Sequence, residues 1–192
     1  MKTKIFVALA VYFVSITTVA AAGNDPVVGQ HIPPFTSQVL NMSGEASKTT
    51  PFDSAAAKRI TTYMVIGVNC PATQAYSERV SQLQKAYGPK GVDFIYVYSN
   101  REDTLDGKIA FHRERHLGGM LIDDQGGAVA KKLGARRTSE LFLANKEGTV
   151  VYHGGVDDSR DPAGVKQQYL KMALDQTLAG SPVTVSTSPV QA

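Results

Sequence analysis

Apolar residues along this chain follow two different periods, and each change of period marks a predicted strand or helix. Continuous apolar and β-branched runs at residues 60–66 and 92–98 predict two buried strands. Between them lies a run with helical spacing that Gly88-Pro89 terminates. The apolar positions of that run are Ala72, Tyr76, Val80, Leu83 and Tyr87. The pattern therefore predicts a strand, a helix and a second strand at the centre of the fold.

Shorter elements are predicted on both sides of this unit. Residues 29–40 read as an extended segment leading to a short strand, and Leu105, Ile109 and His112 share one face of a helix that Gly118-Gly119 closes. Next come a brief strand at 120–122 and a short helix that ends at 133–134 and that Asp123-Asp124 could cap. Two hairpin strands follow at 140–144 and 149–153. A last helix begins at Asp161-Pro162, with Val165, Tyr169, Met172 and Ala173 on its inner face, and an extended tail runs from residue 180 onward.

The first 22 residues have the pattern of a cleaved signal peptide. Lys2 and Lys4 precede an apolar stretch at residues 5–19, and Ala20-Ala21-Ala22 offers a cleavage site before Gly23. The apolar stretch is short for a membrane anchor. We therefore expect a periplasmic or secreted protein with no stable membrane insertion after cleavage.

Composition limits what the mature chain can do. The whole chain has a formal charge of +3, and removing two lysines and no acid leaves +1, which gives no basis for nucleic-acid binding. Residues 23–180 suffice for one α/β domain, with 181–192 as the tail. A single cysteine excludes an internal disulfide, so the fold depends on packing.

The single cysteine, Cys70, is the candidate nucleophile. Pro71 suits the first position of the predicted helix, so Cys70 stands at the helix N-terminus, where free N–H groups and the helix dipole stabilise a thiolate. The alternative is a buried and unreactive scaffold cysteine. Thr73, one turn along, could donate a hydrogen bond to the sulfur or could satisfy a first-turn N–H group instead.

Two histidines raise the question of a metal site. His112 and His116 are four residues apart on a predicted helix, but no third ligand accompanies them. The surrounding arginines and glutamate predict a solvated helix face. No phosphate-binding loop or Ser-His-Asp set is evident, so neither a metal nor an organic cofactor is expected.

Four sequence runs resemble those of redoxin-domain proteins of the peroxiredoxin–thioredoxin superfamily, particularly its exported thioredoxin-like members. The runs are NCPATQAYSERV, YGPKGVDFIYVYSN, KKLGARRTSELFLANKEG and VYHGGVDDSRDP. The resemblance covers about residues 29–190. It implies a thioredoxin-like α/β fold, with a central mixed sheet of four or five strands flanked by helices and preceded by an N-terminal extension. The predicted order of elements agrees with that fold.

The chain departs from the pattern of this superfamily at three positions near the site. Disulfide reductases carry a second cysteine where this chain has Thr73. A cis-proline normally faces the first cysteine, but here Thr138 is followed by Ser139, and the bond between them is expected to be trans. Peroxiredoxins require a threonine where this chain has Gly67. Thr138 and Ser139 could still bind a substrate backbone opposite Cys70, or could form an ordinary turn.

Two functions follow from these observations. One is a thiol oxidoreductase in which Cys70 attacks a peroxide or a disulfide and an external thiol resolves the product; its partners would be a thiol reductant or a protein thiol or disulfide. The other is a redox-inactive thioredoxin-like binding module. Copper handling is disfavoured because no histidine is matched to the single cysteine.

The signal peptide leads to a first prediction. The mature protein should begin near Gly23, because small residues at Ala20 and Ala22 fit signal peptidase. Mass spectrometry of the protein from its natural host should find this terminus, and an intact Met1 terminus would refute cleavage.

Overall fold

Seven strands form one mixed sheet in the computed structural model, which describes residues 27–42 and 48–191. The predicted signal peptide lies outside these residues. In chain order the elements are β1 (Thr36–Asn41), β2 (Lys48–Asp53), β3 (Ile60–Ile66), α1 (Pro71–Tyr87), β4 (Val92–Tyr98), α2 (Leu105–Glu114), β5 (Met120–Asp123), α3 (Ala128–Leu133), β6 (Leu141–Ala144), β7 (Val150–Gly154) and α4 (Tyr169–Leu178). The strands lie side by side in the order β2-β1-β5-β4-β3-β6-β7.

Strand β3 is the central element on which the candidate site depends. All seven of its residues are buried. It pairs in parallel with β4, where Ile66 lies opposite Tyr98, and antiparallel with β6, where Met64 lies opposite Leu141. The carboxyl end of β3 therefore lies beside the end of β4 and the start of β6. Whatever follows β3 in the chain meets the loops after β4 and before β6.

Alternate residues of the central strands pack into two cores, one on each face of the sheet. Met64 and Ile66 belong to the core that includes α1 and α4, and Tyr63 and Val65 belong to the core that includes α3. Period-two alternation explains this division, because successive side chains of a strand point to opposite faces. Both faces of β3 are covered, which accounts for its continuous apolar character.

The predicted fold class and the central strand–helix–strand unit are confirmed. The sheet is larger than the resemblance implies, because β1 and β2 extend it to seven strands. Strand β2 was not predicted, since its sequence KTTPFD lacks apolar alternation and contains Pro51. It forms by pairing with all of β1, from Thr36 opposite Asp53 to Asn41 opposite Lys48. The residues of β2 by themselves do not indicate that β1 is their partner.

The prediction that the last helix begins at Asp161-Pro162 is wrong. Pro162–Gly164 forms only one 3₁₀ turn, and α4 starts at Tyr169. The Asp158 carboxylate accepts hydrogen bonds from the N–H groups of residues 166 and 167 at 2.9 and 3.0 Å, which holds that segment outside the helix. Val165 of the predicted inner face therefore precedes the helix, whereas Ala173 is buried as predicted. The buried residues of α4 are Leu170, Ala173 and Leu174.

The predicted solvated face carrying His112 is also wrong. His112 is only 1% exposed, its Nδ1 lies 3.1 Å from the Leu117 carbonyl oxygen, and burial lowers its pKa to about 4. Helix α2 ends at Glu114 rather than at Gly118-Gly119, so His116 lies beyond it, with φ of 52°. The two histidines therefore do not share a helix face. Within residues 27–42 and 48–191, no helix is long and apolar enough to cross a membrane.

The residues after α4 pack along β7 as an additional extended segment. The His153 N–H donates to the Ser186 carbonyl at 2.9 Å, and the Ser188 N–H donates to the His153 carbonyl at 3.2 Å. The Ser188 and Tyr152 hydroxyls lie 2.6 Å apart. Near the start of the segment, Thr184 donates its N–H to the Gln176 side chain at 3.0 Å. The segment thus covers the free edge of β7.

Close packing at Gly154 leads to a second prediction. A Cβ atom there would lie 2.7 Å from the Ser188 carbonyl oxygen and 2.8 Å from its nitrogen. Gly154→Ala should therefore displace the segment, lower the free energy of unfolding by about 1–3 kcal/mol and open residues 181–191 to proteolysis. Gly126→Ala is the control, because nothing lies within 4 Å of a Cβ atom at Gly126. Equal protease resistance in both variants would contradict the prediction.

Candidate active site around Cys70

Cys70 lies between the carboxyl end of β3 and the first turn of α1. Its backbone is extended, with φ of −76° and ψ of 121°, and it is the N-cap residue of the helix that begins at Pro71. Its N–H donates to the Gly67 carbonyl at 3.2 Å, and its own carbonyl accepts from Gln74 at 3.0 Å. A tight turn from Gly67 to Cys70, called here the cysteine turn, thus joins strand β3 to helix α1. The sulfur is partly exposed and is directed to the helix N-terminus.

Three residues stabilise the thiolate form of Cys70. Burial raises the pKa of the thiol, but hydrogen bonds from the Thr138 hydroxyl, the Thr73 N–H and hydroxyl, and the Ala72 N–H outweigh it, so the pKa is lowered overall. The Thr138 oxygen lies 3.0 Å from the sulfur. Free N–H groups in the first turn of a helix are natural partners for an anion. The predicted helix-terminus environment is therefore present at Cys70.

Thr73 contacts more than the sulfur. It is 2% exposed, its hydroxyl accepts the Gly67 N–H at 3.4 Å, and it lies 3.4 Å from the Ser139 hydroxyl. Of the two roles considered from the sequence, the hydrogen bond to the sulfur is present, whereas the N–H that Thr73 accepts belongs to Gly67, before the helix, and not to its first turn. Thr73 connects the cysteine turn to the loop before β6 at the position where disulfide reductases of the superfamily have their second cysteine.

The loop before β6 brings the Thr138 hydroxyl onto the Cys70 sulfur and the Ser139 hydroxyl beside Thr73. Ser139 is 1% exposed and has φ of 68°, in the left-handed region. Its N–H donates to the Val65 carbonyl at 2.6 Å. No peptide bond among the described residues is cis, in agreement with the expected trans Thr138-Ser139 bond. Proline could neither adopt this φ nor donate this hydrogen bond.

Gly67 stands where the cysteine turn meets two other loops. A Cβ atom at this position would lie 3.0 Å from Nδ2 of Asn100 and 3.6 Å from Cγ2 of Thr138. The contact with Thr138 is an ordinary van der Waals distance, whereas the contact with Asn100 is tight. The peroxide-orienting threonine of peroxiredoxins has no room here without movement of Asn100.

Two buried acids, both missed by the sequence analysis, hold backbone groups of the site. Asp103 and Glu140 are each 4% exposed. Asp103 accepts the N–H of Val68, in the cysteine turn, at 2.9 Å, and Glu140 accepts the N–H of Arg136, in the loop before β6, at 2.8 Å. A single acid in a polar loop or at a strand start is common, so neither gave a signal in the sequence.

Positive groups surround Glu140. Burial raises the pKa of its carboxyl, but the neighbouring His153 ring, the hydrogen bond from the Arg136 N–H and the charge of Arg137 together lower it below its usual value. The Arg137 Nε lies 3.7 Å from Oε1, and the His153 Nε2 lies 3.9 Å from Oε2. The Arg137 guanidinium therefore faces this carboxylate and serves as its counter-charge.

The arrangement supports one kind of chemistry. It presents a partly exposed thiol with a lowered pKa, hydrogen-bond donors around the sulfur, and hydroxyl groups at Thr73 and Ser139. A thiolate in such surroundings is a nucleophile. The chain contains no other cysteine to release a mixed disulfide.

Solved structures with the same fold include two bacterial proteins of uncharacterised function at 25% identity. The one from Geobacillus kaustophilus has a TM-score of 0.72, with 84% of this chain and 87% of that chain covered. The one from Sinorhizobium meliloti also has a TM-score of 0.72, with 85% and 91% covered. A secreted disulfide oxidoreductase of Mycobacterium tuberculosis is 17% identical, has a TM-score of 0.53, and is matched over 74% of this chain and 94% of its own.

The family of the chain follows from a comparison along its sequence. No curated protein is similar enough to match it. The family model for Redoxin matches residues 27–169, which include every strand, the cysteine turn and the loop before β6. Together with the thioredoxin-like neighbours, this match supports a redox function of the thioredoxin type. The chain belongs to the Redoxin family.

Proposed function

We propose that this protein is an exported thiol oxidoreductase that works with Cys70 alone. The observation that carries the proposal is the hydrogen-bonded sulfur, which lies 3.0 Å from the Thr138 hydroxyl at the N-terminus of α1. These donors favour the thiolate over the thiol. A scaffold cysteine requires no such donors.

The reaction proceeds in two exchange steps. The Cys70 thiolate attacks one sulfur of a disulfide, a mixed disulfide forms, and the other half of the substrate leaves as a thiolate. An external thiolate then attacks the substrate sulfur of the mixed disulfide, and Cys70 leaves as a thiolate. With a peroxide, the thiolate attacks one oxygen, the O–O bond breaks, the other oxygen leaves as alkoxide or hydroxide and takes up a proton, and Cys70 becomes a sulfenic acid. One external thiol converts the sulfenic acid to a mixed disulfide and water, and a second external thiolate releases Cys70 as a thiolate.

Pro71, Thr73, Thr138 and Ser139 have supporting roles in this proposal. Pro71 starts the helix without requiring an N–H partner. Thr73 and Thr138 stabilise the thiolate. Ser139 fixes the loop through its N–H bond to Val65, and Thr138 is the residue of this loop that faces an incoming substrate backbone.

Export is part of the proposal. The signal-peptide pattern at residues 1–22 supports it, and one structural neighbour is a secreted disulfide oxidoreductase. A periplasmic or extracellular location would place Cys70 among protein disulfides and thiols, which are its proposed partners.

A redox-inactive binding module is the second candidate. The observation that favours it is the pair of hydroxyl residues, Thr73 and Ser139, at positions where disulfide reductases carry a cysteine and a proline. In that case the loop opposite Cys70 would bind a partner without exchange chemistry.

The reactivity of Cys70 separates the two candidates and gives a third prediction. Iodoacetamide should alkylate the folded protein with a pH midpoint below that of an ordinary thiol, about 8.5. Thr138→Val should raise this midpoint, because it removes a hydrogen bond that the thiolate accepts. Cys70→Ser, which should stay folded, is the blank. Alkylation only after denaturation, together with an unchanged mass in peroxide, would favour the binding module.

The missing second thiol gives a fourth prediction. The mature protein should reduce insulin slowly and accumulate mixed disulfides with glutathione, because nothing within the chain releases the substrate. Thr73→Cys should raise the turnover of insulin reduction, since residue 73 is buried one turn from Cys70. Ser77→Cys, one further turn along α1, is the matched control and should not raise it. Rapid turnover by the unmodified protein would contradict a single-cysteine mechanism.

A further inference from the structure

Glu140 is a buried acid that the proposed reaction does not use directly. It follows the loop that carries Thr138, and its side chain turns back to the start of that loop. Its Oε2 accepts the Arg136 N–H at 2.8 Å, which closes residues 136–140 into a side-chain-bridged turn. A carboxylate that accepts a backbone N–H makes a charge-assisted hydrogen bond, which is stronger than a neutral one.

The backbone on the other side of Thr138 is anchored to β3. Val65 donates its N–H to the Glu140 carbonyl at 3.0 Å and accepts the Ser139 N–H at 2.6 Å. Thr138 is therefore held from both directions, by the Glu140 side chain before it and by Val65 after it. Its hydroxyl lies 3.0 Å from the Cys70 sulfur. A small movement of the 136–138 backbone would lengthen this contact.

Arg137 and His153 flank the Glu140 carboxylate. The Arg137 guanidinium approaches one oxygen, at 3.7 Å, and the His153 ring approaches the other, at 3.9 Å. The His153 ring is itself stacked on Phe142, with ring centres 4.4 Å apart. Among the described residues, Arg137 and His153 are the charged or titratable side chains recorded within 4 Å of the Glu140 oxygens.

We propose that Glu140 is a positioning residue for Cys70, because its carboxylate holds the Arg136 N–H and thereby keeps the Thr138 hydroxyl on the sulfur. The inference deepens the proposed function and rests on it for its catalytic meaning. The positioning itself can be measured on the thiol, whether or not the protein turns over a substrate.

Two variants of Glu140 separate the effect of its side-chain length from the effect of its negative charge. Glu140→Asp keeps the charge but shortens the side chain by one methylene, so it loses its reach to Arg136. Glu140→Gln keeps the reach and an acceptor oxygen but loses the charge. The readout is the pKa of Cys70, from thiolate absorbance near 240 nm and from alkylation rate against pH. Glu140→Asp should raise it by about half a unit or more, and Glu140→Gln should raise it by less, because the amide oxygen still accepts the Arg136 N–H through a weaker, uncharged hydrogen bond.

A double-mutant cycle tests whether Glu140 acts through Thr138. In the Thr138→Val background, Glu140→Asp should leave the pKa of Cys70 unchanged, because the contact that it positions is already gone. Additive shifts would overturn the inference, as would no shift in Glu140→Asp alone, or a rise in Glu140→Gln as large as in Glu140→Asp. In the unmodified protein the Arg136 amide should exchange hydrogen slowly although the residue is exposed, and fast exchange would also overturn it.

Asp175→Asn provides the control for a general loss of stability. Asp175 accepts hydrogen bonds from Tyr87 and Lys171 at the far end of α1, so its replacement should destabilise the fold without moving the pKa of Cys70. If Cys70 fails to react with disulfides or peroxide while its pKa follows the expected pattern, the proposed function fails and the positioning by Glu140 stands. If Cys70 reacts but its pKa is the same in the Glu140 variants, the positioning by Glu140 fails and the proposed function stands.

Discussion

The pairing of Val65 with residues 139 and 140 is the constraint on which the candidate site depends. Val65 is the second-last residue of β3, and its N–H and carbonyl both bond to this segment, at 3.0 and 2.6 Å. Because the chain reaches Cys70 five residues after Val65, the same strand fixes the cysteine turn and the loop that faces it. The sheet thus brings the sulfur and the Thr138 loop to the same edge, which neither loop could do alone.

Hydroxyl groups replace the cysteine and the proline at this junction, and they alter the local chemistry. Thr73 and Ser139 lie 3.4 Å apart, so they link helix α1 to the facing loop. The left-handed backbone of Ser139 costs about 1–3 kcal/mol of strain for a residue with a side chain. That cost is offset by its buried hydrogen bond to Val65. The result is a site with donors for a thiolate and without an internal resolving thiol.

Buried acids organise the loops that the sheet brings together. Asp103, after β4, holds the N–H of Val68, and Glu140, at the start of β6, holds the N–H of Arg136. Each serves a backbone group that would otherwise lack a partner inside the protein, and leaving such a group unpaired is costly. The cysteine turn and the loop that faces it are therefore held by residues 33 and 70 positions further along the chain than Cys70.

Local pattern alone determined the central unit and the candidate nucleophile. The sequence correctly predicted strands β3 and β4, helix α1 and the place of Cys70 at the start of that helix. These features depend on patterns of contiguous residues: two apolar runs, one helical spacing and the Cys70-Pro71 pair. Strand β2, the start of α4 and the burial of His112 depend on partners outside the element itself: β1, Asp158 and the core under α2. The contacts of Asp103 and Glu140 likewise exist only after the sheet has formed. Only the tertiary structure could decide them, because a hydrogen-bond partner or a buried face is a property of two segments at once.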